Sequence, residues 1–292
     1  MKERWKIALC CIFAAELGIF ANAKGAGDFK ITGDFEGAGT QGIFTYCSTP
    51  DGLSIDYYSP TSKRTQHYRV SNFDICSSMA MYQIPHSKQM AIDGSCSSQG
   101  GEIFRNVYAW NPTYKKWCLV REVTGEKPDI TAGTVAPVER VARVVGCSEI
   151  GASGPYSYEP AGVVRAAIKG ELRKFGDVSR NRNELKTFIA SLPDYSVAEF
   201  ASYVDSSTVE AINDLAFYLA EYGRSYVAIP LLTTIVTKFP DRIVAKLNLA
   251  DAYWDNDMKT QAAEQYREYN KKMKRLGKSS LVPQRVLDRL DE

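Results

Sequence analysis

Two stretches near the end of the chain carry the same residues in the same places, 34 positions apart. Leu215-Ala216 returns as Leu249-Ala250, Ala228 returns as Ala262, and Leu232 is matched by Tyr266. The first copy reads Ile212-x-x-Leu215-Ala216-x-x-Leu219 … Ala228-x-x-x-Leu232 … Pro240. The second reads Leu249-Ala250-x-x-Tyr253 … Ala262-x-x-x-Tyr266. A period of this length constrains the fold strongly, because each copy is one supersecondary unit that must stack on a neighbour to bury its apolar face. Within each copy the apolar residues fall three and four apart, which is helical spacing. Small residues stand where two helices must cross, with larger ones filling the gaps beside them. Pro240-Asp241 ends one helix and opens the next, and Pro230, early in its helix, should bend it only mildly. The second copy has Lys274 where a closing proline would stand, so its last helix is expected to run on to Gly277 as a C-terminal cap.

This pattern resembles the tetratricopeptide repeat (TPR) family, whose unit is a helix–turn–helix of 34 residues. The resemblance spans residues 206–292, with a C-terminal capping helix expected over Val282–Leu290. It departs from the family at the usual first large residue, which is Ile212 or Lys246 here. The resemblance implies a protein-binding array in which the first helix of each unit lines a concave face. On that template the exposed positions are Glu210, Asn213, Asp214, Phe217 and Glu221 in the first copy. Val244, Asn248, Asp251, Trp254 and Asp255 are their counterparts in the second. The candidate partner site is Phe217, Glu221, Asn248, Asp251, Trp254 and Asp255, with Phe217, Asp251, Trp254 and Asp255 at its centre. Such an acidic surface with two aromatics suits another protein, in particular a basic or extended peptide segment. The family's basic clamp for acidic C-termini is not reproduced, since Phe217 and Asp251 occupy positions where asparagine or lysine would be wanted. The tail around Tyr266, Tyr269 and Met273 also resembles those of secreted bacterial repeat proteins, some of them immunity-type.

At 292 residues the chain has room for two domains. Lys2, Arg4 and Lys6 precede a short apolar run from Ile7 to Phe20, and Ala21-Asn22-Ala23 follows. That order predicts a signal peptide over residues 1–23, cleaved after Ala23, and a periplasmic or secreted protein. The apolar run is too short for a membrane span. The net charge of +2 argues against nucleic acid as a partner. Of seven cysteines, Cys10 and Cys11 fall within the signal. Cys47, Cys76, Cys96, Cys118 and Cys147 remain, all ahead of the helical half. An exported chain can keep disulfides, and five cysteines allow at most two bridges.

Residues 24–150 read as a β-rich domain. Short β-branched and aromatic runs alternate with turn residues at Ile43–Tyr46, Leu53–Tyr58, His67–Val70, Met79–Ile84, Ile103–Trp110, Trp117–Val123 and Val138–Val145. Asp51-Gly52 and Asp93-Gly94 are expected turns. Tyr58-Ser59-Pro60-Thr61-Ser62-Lys63-Arg64 and Trp110-Asn111-Pro112-Thr113-Tyr114-Lys115-Lys116 read as one hairpin used twice, in an antiparallel sheet or small sandwich. If each hairpin is stapled, Cys96 pairs with Cys118 and Cys47 with Cys76, which leaves Cys147. Residues 151–205 are expected to be a linker, rich in Gly, Ser, Pro and Tyr at its start, followed by short helices such as Asn183–Leu192 and Ser196–Val204.

The search for chemistry gives little. Gly37-x-Gly39-x-x-Gly42 matches a dinucleotide fingerprint in letters, but a strand follows it where a helix is needed. There is no H-E-x-x-H and no C-x-x-C, and the two histidines, His67 and His86, have no ligand spacing. Neither a cofactor nor a metal is expected. The sequence thus reads as α+β: an N-terminal, disulfide-stapled antiparallel β domain followed by an all-α TPR-like array. Its expected role is an exported, non-enzymatic protein-binding module, either an inhibitor or immunity-type protein or an envelope assembly scaffold. The alternative is an envelope hydrolase with its active site in the β domain and repeats that recruit substrate.

Overall fold

The computed structural model describes residues 29–49, 51–71, 78–95, 101–127 and 138–291. The expected signal peptide, Cys76 and Cys96 lie outside the described residues. The chain divides into two compact units, Met1–Thr124 with Ala142–Tyr158, and Gly125–Val141 with Glu159–Glu292.

The first unit is built from antiparallel meanders. Strands β1 (Phe29–Gly33), β2 (Gly42–Thr49), β3 (Gly52–Ser59) and β4 (Arg64–Ser71) form one four-stranded sheet in chain order. Strands β5 (Ser78–Gln83), β6 (Met90–Ser95), β7 (Glu102–Asn111), β8 (Lys116–Glu126), β9 (Val138–Val145) and β10 (Ser157–Tyr158) form a second sheet, again with sequential neighbours. Alternation decides which face is inside. On β3, Leu53, Ile55 and Tyr57 are buried, and the intervening Ser54 and Asp56 are not. The two sheets share one core that includes Phe44, Ile55, Tyr57, Met90, Ile92, Trp117 and Leu119. Trp117 is its centre, with Phe44 at 4.9 Å, Tyr57 at 5.3 Å and Phe35 at 5.6 Å between ring centroids, all edge-on.

The duplicated hairpin is present. The β3–β4 and β7–β8 connections each end in a lysine with positive φ, Lys63 at 55° and Lys115 at 51°. A left-handed residue closing a short loop matches its twist to the strands it joins. The expected Cys96–Cys118 bridge is not formed. Cys118 on β8 is bonded to Cys147, just beyond β9. The reason lies in the sheet. Leu119 N–H donates to the Ser148 carbonyl at 2.8 Å, and Cys118 forms a β-bridge with Glu149, so the backbone already holds the two half-cystines together. Cys47 is buried on β2.

Asp93-Gly94 is also not a turn. It lies inside β6, where Gly94 pairs with Met79 on one side and Phe104 on the other. A Cβ at Gly94 would fall 1.9 Å from the Phe104 ring, so the glycine is there to let an aromatic lie across the strand. Asp93 receives Arg105 Nε and NH2 at 2.9 and 3.0 Å.

The second unit contains eight α-helices among the described residues: α1 (Ala161–Val178), α2 (Arg182–Ser191), α3 (Asp194–Ser202), α4 (Val209–Glu221), α5 (Ser225–Lys238), α6 (Ile243–Asp255), α7 (Lys259–Arg275) and α8 (Gln284–Asp291). One continuous core runs through them from Val164 to Val286. Helices α1–α3 contribute Ile168, Phe175, Leu185, Ile189, Val197 and Phe200 to it, so they are part of the helical body, and the stretch without helix is the short one before Ala161. Asn181 opens α2 by accepting from the N–H groups of Asn183 and Glu184, and Glu184 accepts in return from the Asn181 amide.

The 34-residue period is built into the backbone. Helices α4 and α6 begin and end 34 residues apart, at Val209 and Ile243 and at Glu221 and Asp255, and α5 and α7 begin 34 apart at Ser225 and Lys259. The turn between the helices of each pair contains one left-handed residue, Gly223 (φ 80°) in the first and Asp257 (φ 60°) in the second. Ala216, Ala250, Ala228 and Ala262 are all fully buried. Helix α7 ends as expected, with Gly277 at φ 66° and Lys278 N–H donating to the Met273 carbonyl at 2.9 Å.

Candidate partner site on the helical repeats

Helix α4 presents an exposed stripe of Glu210, Asp214, Phe217 and Glu221, spaced four, three and four apart. Phe217 is 39% exposed, and its ring meets Tyr218 edge-on at 5.1 Å. Among the described residues, no ion pair involves the three carboxylates. The stripe is therefore an open acidic line with one aromatic in it.

The matching face of α6 is different. Val244 and Asp255 are exposed, but Asn248 is buried. Asn248 donates through its amide to the Asn213 carbonyl oxygen at 3.4 Å, and Asn213 is itself buried. Both residues were expected on the open face; instead the two first helices pack there, and the Asn213 amide in turn donates to Asp214 Oδ1 at 3.3 Å.

Asp251 and Trp254 are engaged by the end of the chain. Asp251 accepts from Tyr266 OH at 2.6 Å, from Arg285 at 3.2 and 2.8 Å and from Arg289 at 2.7 Å. Arg289 also donates to the Tyr266 oxygen. Its guanidinium lies 4.8 Å from the Trp254 ring centroid, and Lys259 Nζ lies 3.2 Å from it. Trp254 packs against the helical core beside Tyr266. Burial, followed by the hydrogen bond to Asp251, pushes the Tyr266 phenol well above its usual range. The same carboxylate raises Arg285. Helix α8 thus lies over this part of α6, with Val286 buried beneath it.

Of the six site residues expected from the sequence, Phe217, Glu221 and Asp255 are open. Asp251 and Trp254 meet in one intramolecular cluster, and Asn248 is interior. Sequence reasoning placed the capping helix but not its two arginines, although their spacing of four in Arg285-x-x-x-Arg289 was a signal that one face of that helix is cationic.

In the β unit, Asp56 and His67 face each other across β3 and β4, with His67 Nδ1 2.6 Å from Asp56 Oδ1 on an exposed sheet surface. His86 is exposed in a turn, at φ 57°. Among the described residues, no group of three or more His, Cys, Asp or Glu could hold a metal ion. None of the described helices is long and apolar enough to cross a membrane. No family model matches the chain, and no curated protein matches it.

Proposed function

We propose that the chain is an exported protein-binding module whose helical repeats, of tetratricopeptide type, hold a basic, extended segment of another protein. The observation that carries this reading is the open stripe Glu210–Asp214–Phe217–Glu221, three carboxylates and an aromatic in line on α4. The cluster around Asp251 supports the charge of the partner, because this face already takes two guanidinium groups from its own chain, one against Trp254. Carboxylates at such a surface select partner charge and speed encounter, and the aromatic supplies most of the affinity. The Cys118–Cys147 bridge supports an oxidising compartment, in keeping with the signal-like first 23 residues. Within that class we favour an inhibitor or immunity-type role, in which the array sequesters one partner, over an assembly scaffold.

The test is selection from a displayed random-peptide library against the chain from Lys24 onward. Enriched peptides should carry lysine or arginine around an apolar residue. Their binding should fall by about tenfold or more in Phe217→Ala, the loss expected at an aromatic hot spot, and should weaken in Asp214→Lys. Enrichment of acidic peptides, or binding indifferent to both substitutions, would place recognition elsewhere.

A further inference from the structure

We propose that the C-terminal end of α7 and the turn after it form a docking surface for an anionic lipid bilayer. From Arg267 to Arg285 the sequence has seven basic residues and one acidic, in a chain whose totals are 36 and 34, so the remainder is net acidic. Two of the seven are occupied. Lys272 donates to the Pro240 carbonyl and to Asp241, and Arg285 is held by Asp251. Lys271, Lys274, Arg275 and Lys278 are exposed. The first three recur at helical spacing on α7, and Lys278 is turned back onto the helix end by left-handed Gly277 and its bond to the Met273 carbonyl. Met273 is buried, so the helix end is anchored.

Two large apolar side chains stand among these cations, Leu276 at 55% exposure and Leu281 at 65%. Between them Ser279-Ser280 is small and exposed, and covers neither. The helix dipole accounts for basic residues in the last turn of α7. It does not account for Lys278 beyond the cap, nor for bare leucines. Cations together with exposed leucines on one short element are what an interfacial site requires, because a single weak signal gives only marginal membrane binding and two together hold. A nucleic acid or an acidic protein surface could take the charges, but a bilayer is the anionic partner that buries leucines between its head groups. The surface is separate from the α4 stripe, so this inference stands whether or not that stripe binds peptides.

Sedimentation of the chain from Lys24 onward with vesicles of phosphatidylcholine, with and without one-third phosphatidylglycerol, tests it. Partition should be at least about tenfold stronger on the anionic vesicles, and Lys274→Glu/Arg275→Glu should remove that preference, since each cation near such a surface contributes about fivefold. Leu276→Ser/Leu281→Ser should also release the protein, with its thermal unfolding unchanged because both side chains are exposed. Equal partition on the two vesicle types would overturn the proposal. So would full anionic-vesicle binding by the leucine variant, with retention on immobilised heparin or nucleic acid, since that would make the surface a site for polyanions in general.

Discussion

Asp205 shows how much one side chain can organise at a helix start. It accepts from the Ser207 N–H at 2.8 Å and hydroxyl at 2.7 Å, and pairs with Arg165 from α1. Its own N–H donates to Thr208 Oγ1 at 3.0 Å, and its carbonyl receives Val209, the first residue of α4. The Ser207 bonds, then Arg165, hold its carboxyl well below the ordinary carboxylate range. A depressed folded value stabilises the fold fully above the unfolded value of about 3.9 and loses that contribution as pH falls through the lower folded value. Parent and Asp205→Asn should therefore differ in stability at neutral pH and converge in acid; a gap that persists unchanged below that range would contradict this. The cysteines give a second residue-scale prediction. Peptide mapping without reduction should recover Cys118 joined to Cys147, and replacing both with alanine should cost about 3.6 kcal/mol for a loop of this length. Recovery of Cys118 joined to any other cysteine would refute the pairing.

At the scale of elements, the repeat carries a device not apparent in its apolar pattern. Lys238, at the end of α5, donates to the Val204 carbonyl ahead of α4; Lys272, 34 residues on, donates to the Pro240 carbonyl ahead of α6. Each lysine ties the end of a second helix to the entry of its own first helix. Lys272→Met should cost about 1.5 kcal/mol, the low end of the range for a hydrogen bond to a charged group; no change in the unfolding midpoint would show the bond to be idle. Ala250→Glu should be far more damaging, because it places an unpaired carboxylate at a fully buried helix crossing. Trp254→Ala is expected to lower stability as well, since the ring packs on the core and carries Lys259 and Arg289; an unchanged melting temperature would mean that this packing is energetically empty. These contrasts explain what the sequence could and could not reveal. Leu215, Ala216, Ala228 and their partners were legible because burial at helical crossings demands small and large residues at fixed spacing. Asn213 and Asn248 were misread because the template gives a polar residue to solvent, and only the packed helices bring the two amides together. Strand β6, Met90–Ser95, was missed because Asp93-Gly94 carries the letters of a turn, and its pairing depends on Arg105 and Phe104 from a neighbouring strand. Cys118 and Cys147 were unmatched in sequence because sheet register, not hairpin proximity, brings them together.

At the scale of the whole molecule, the two units hold separate cores of different kinds. One is a cage of aromatic rings around Trp117 between two sheets, closed by a disulfide. The other is a continuous core of mostly aliphatic and alanine side chains from Val164 to Val286, with Phe175, Phe200 and Tyr266 among them. A stacked array sums local stabilities, while a small β domain around one shared core unfolds as a unit. Calorimetry should accordingly resolve two transitions, and substitutions should sort between them. Cys118→Ala/Cys147→Ala should lower the transition of the β unit and leave the other in place, and Ala250→Glu should do the reverse. Circular dichroism assigns them independently, since loss of helical signal should follow the transition that Ala250→Glu moves. A single transition that shifts as one under both sets of substitutions, with calorimetric and van't Hoff enthalpies equal, would show that the two cores fold as one cooperative body.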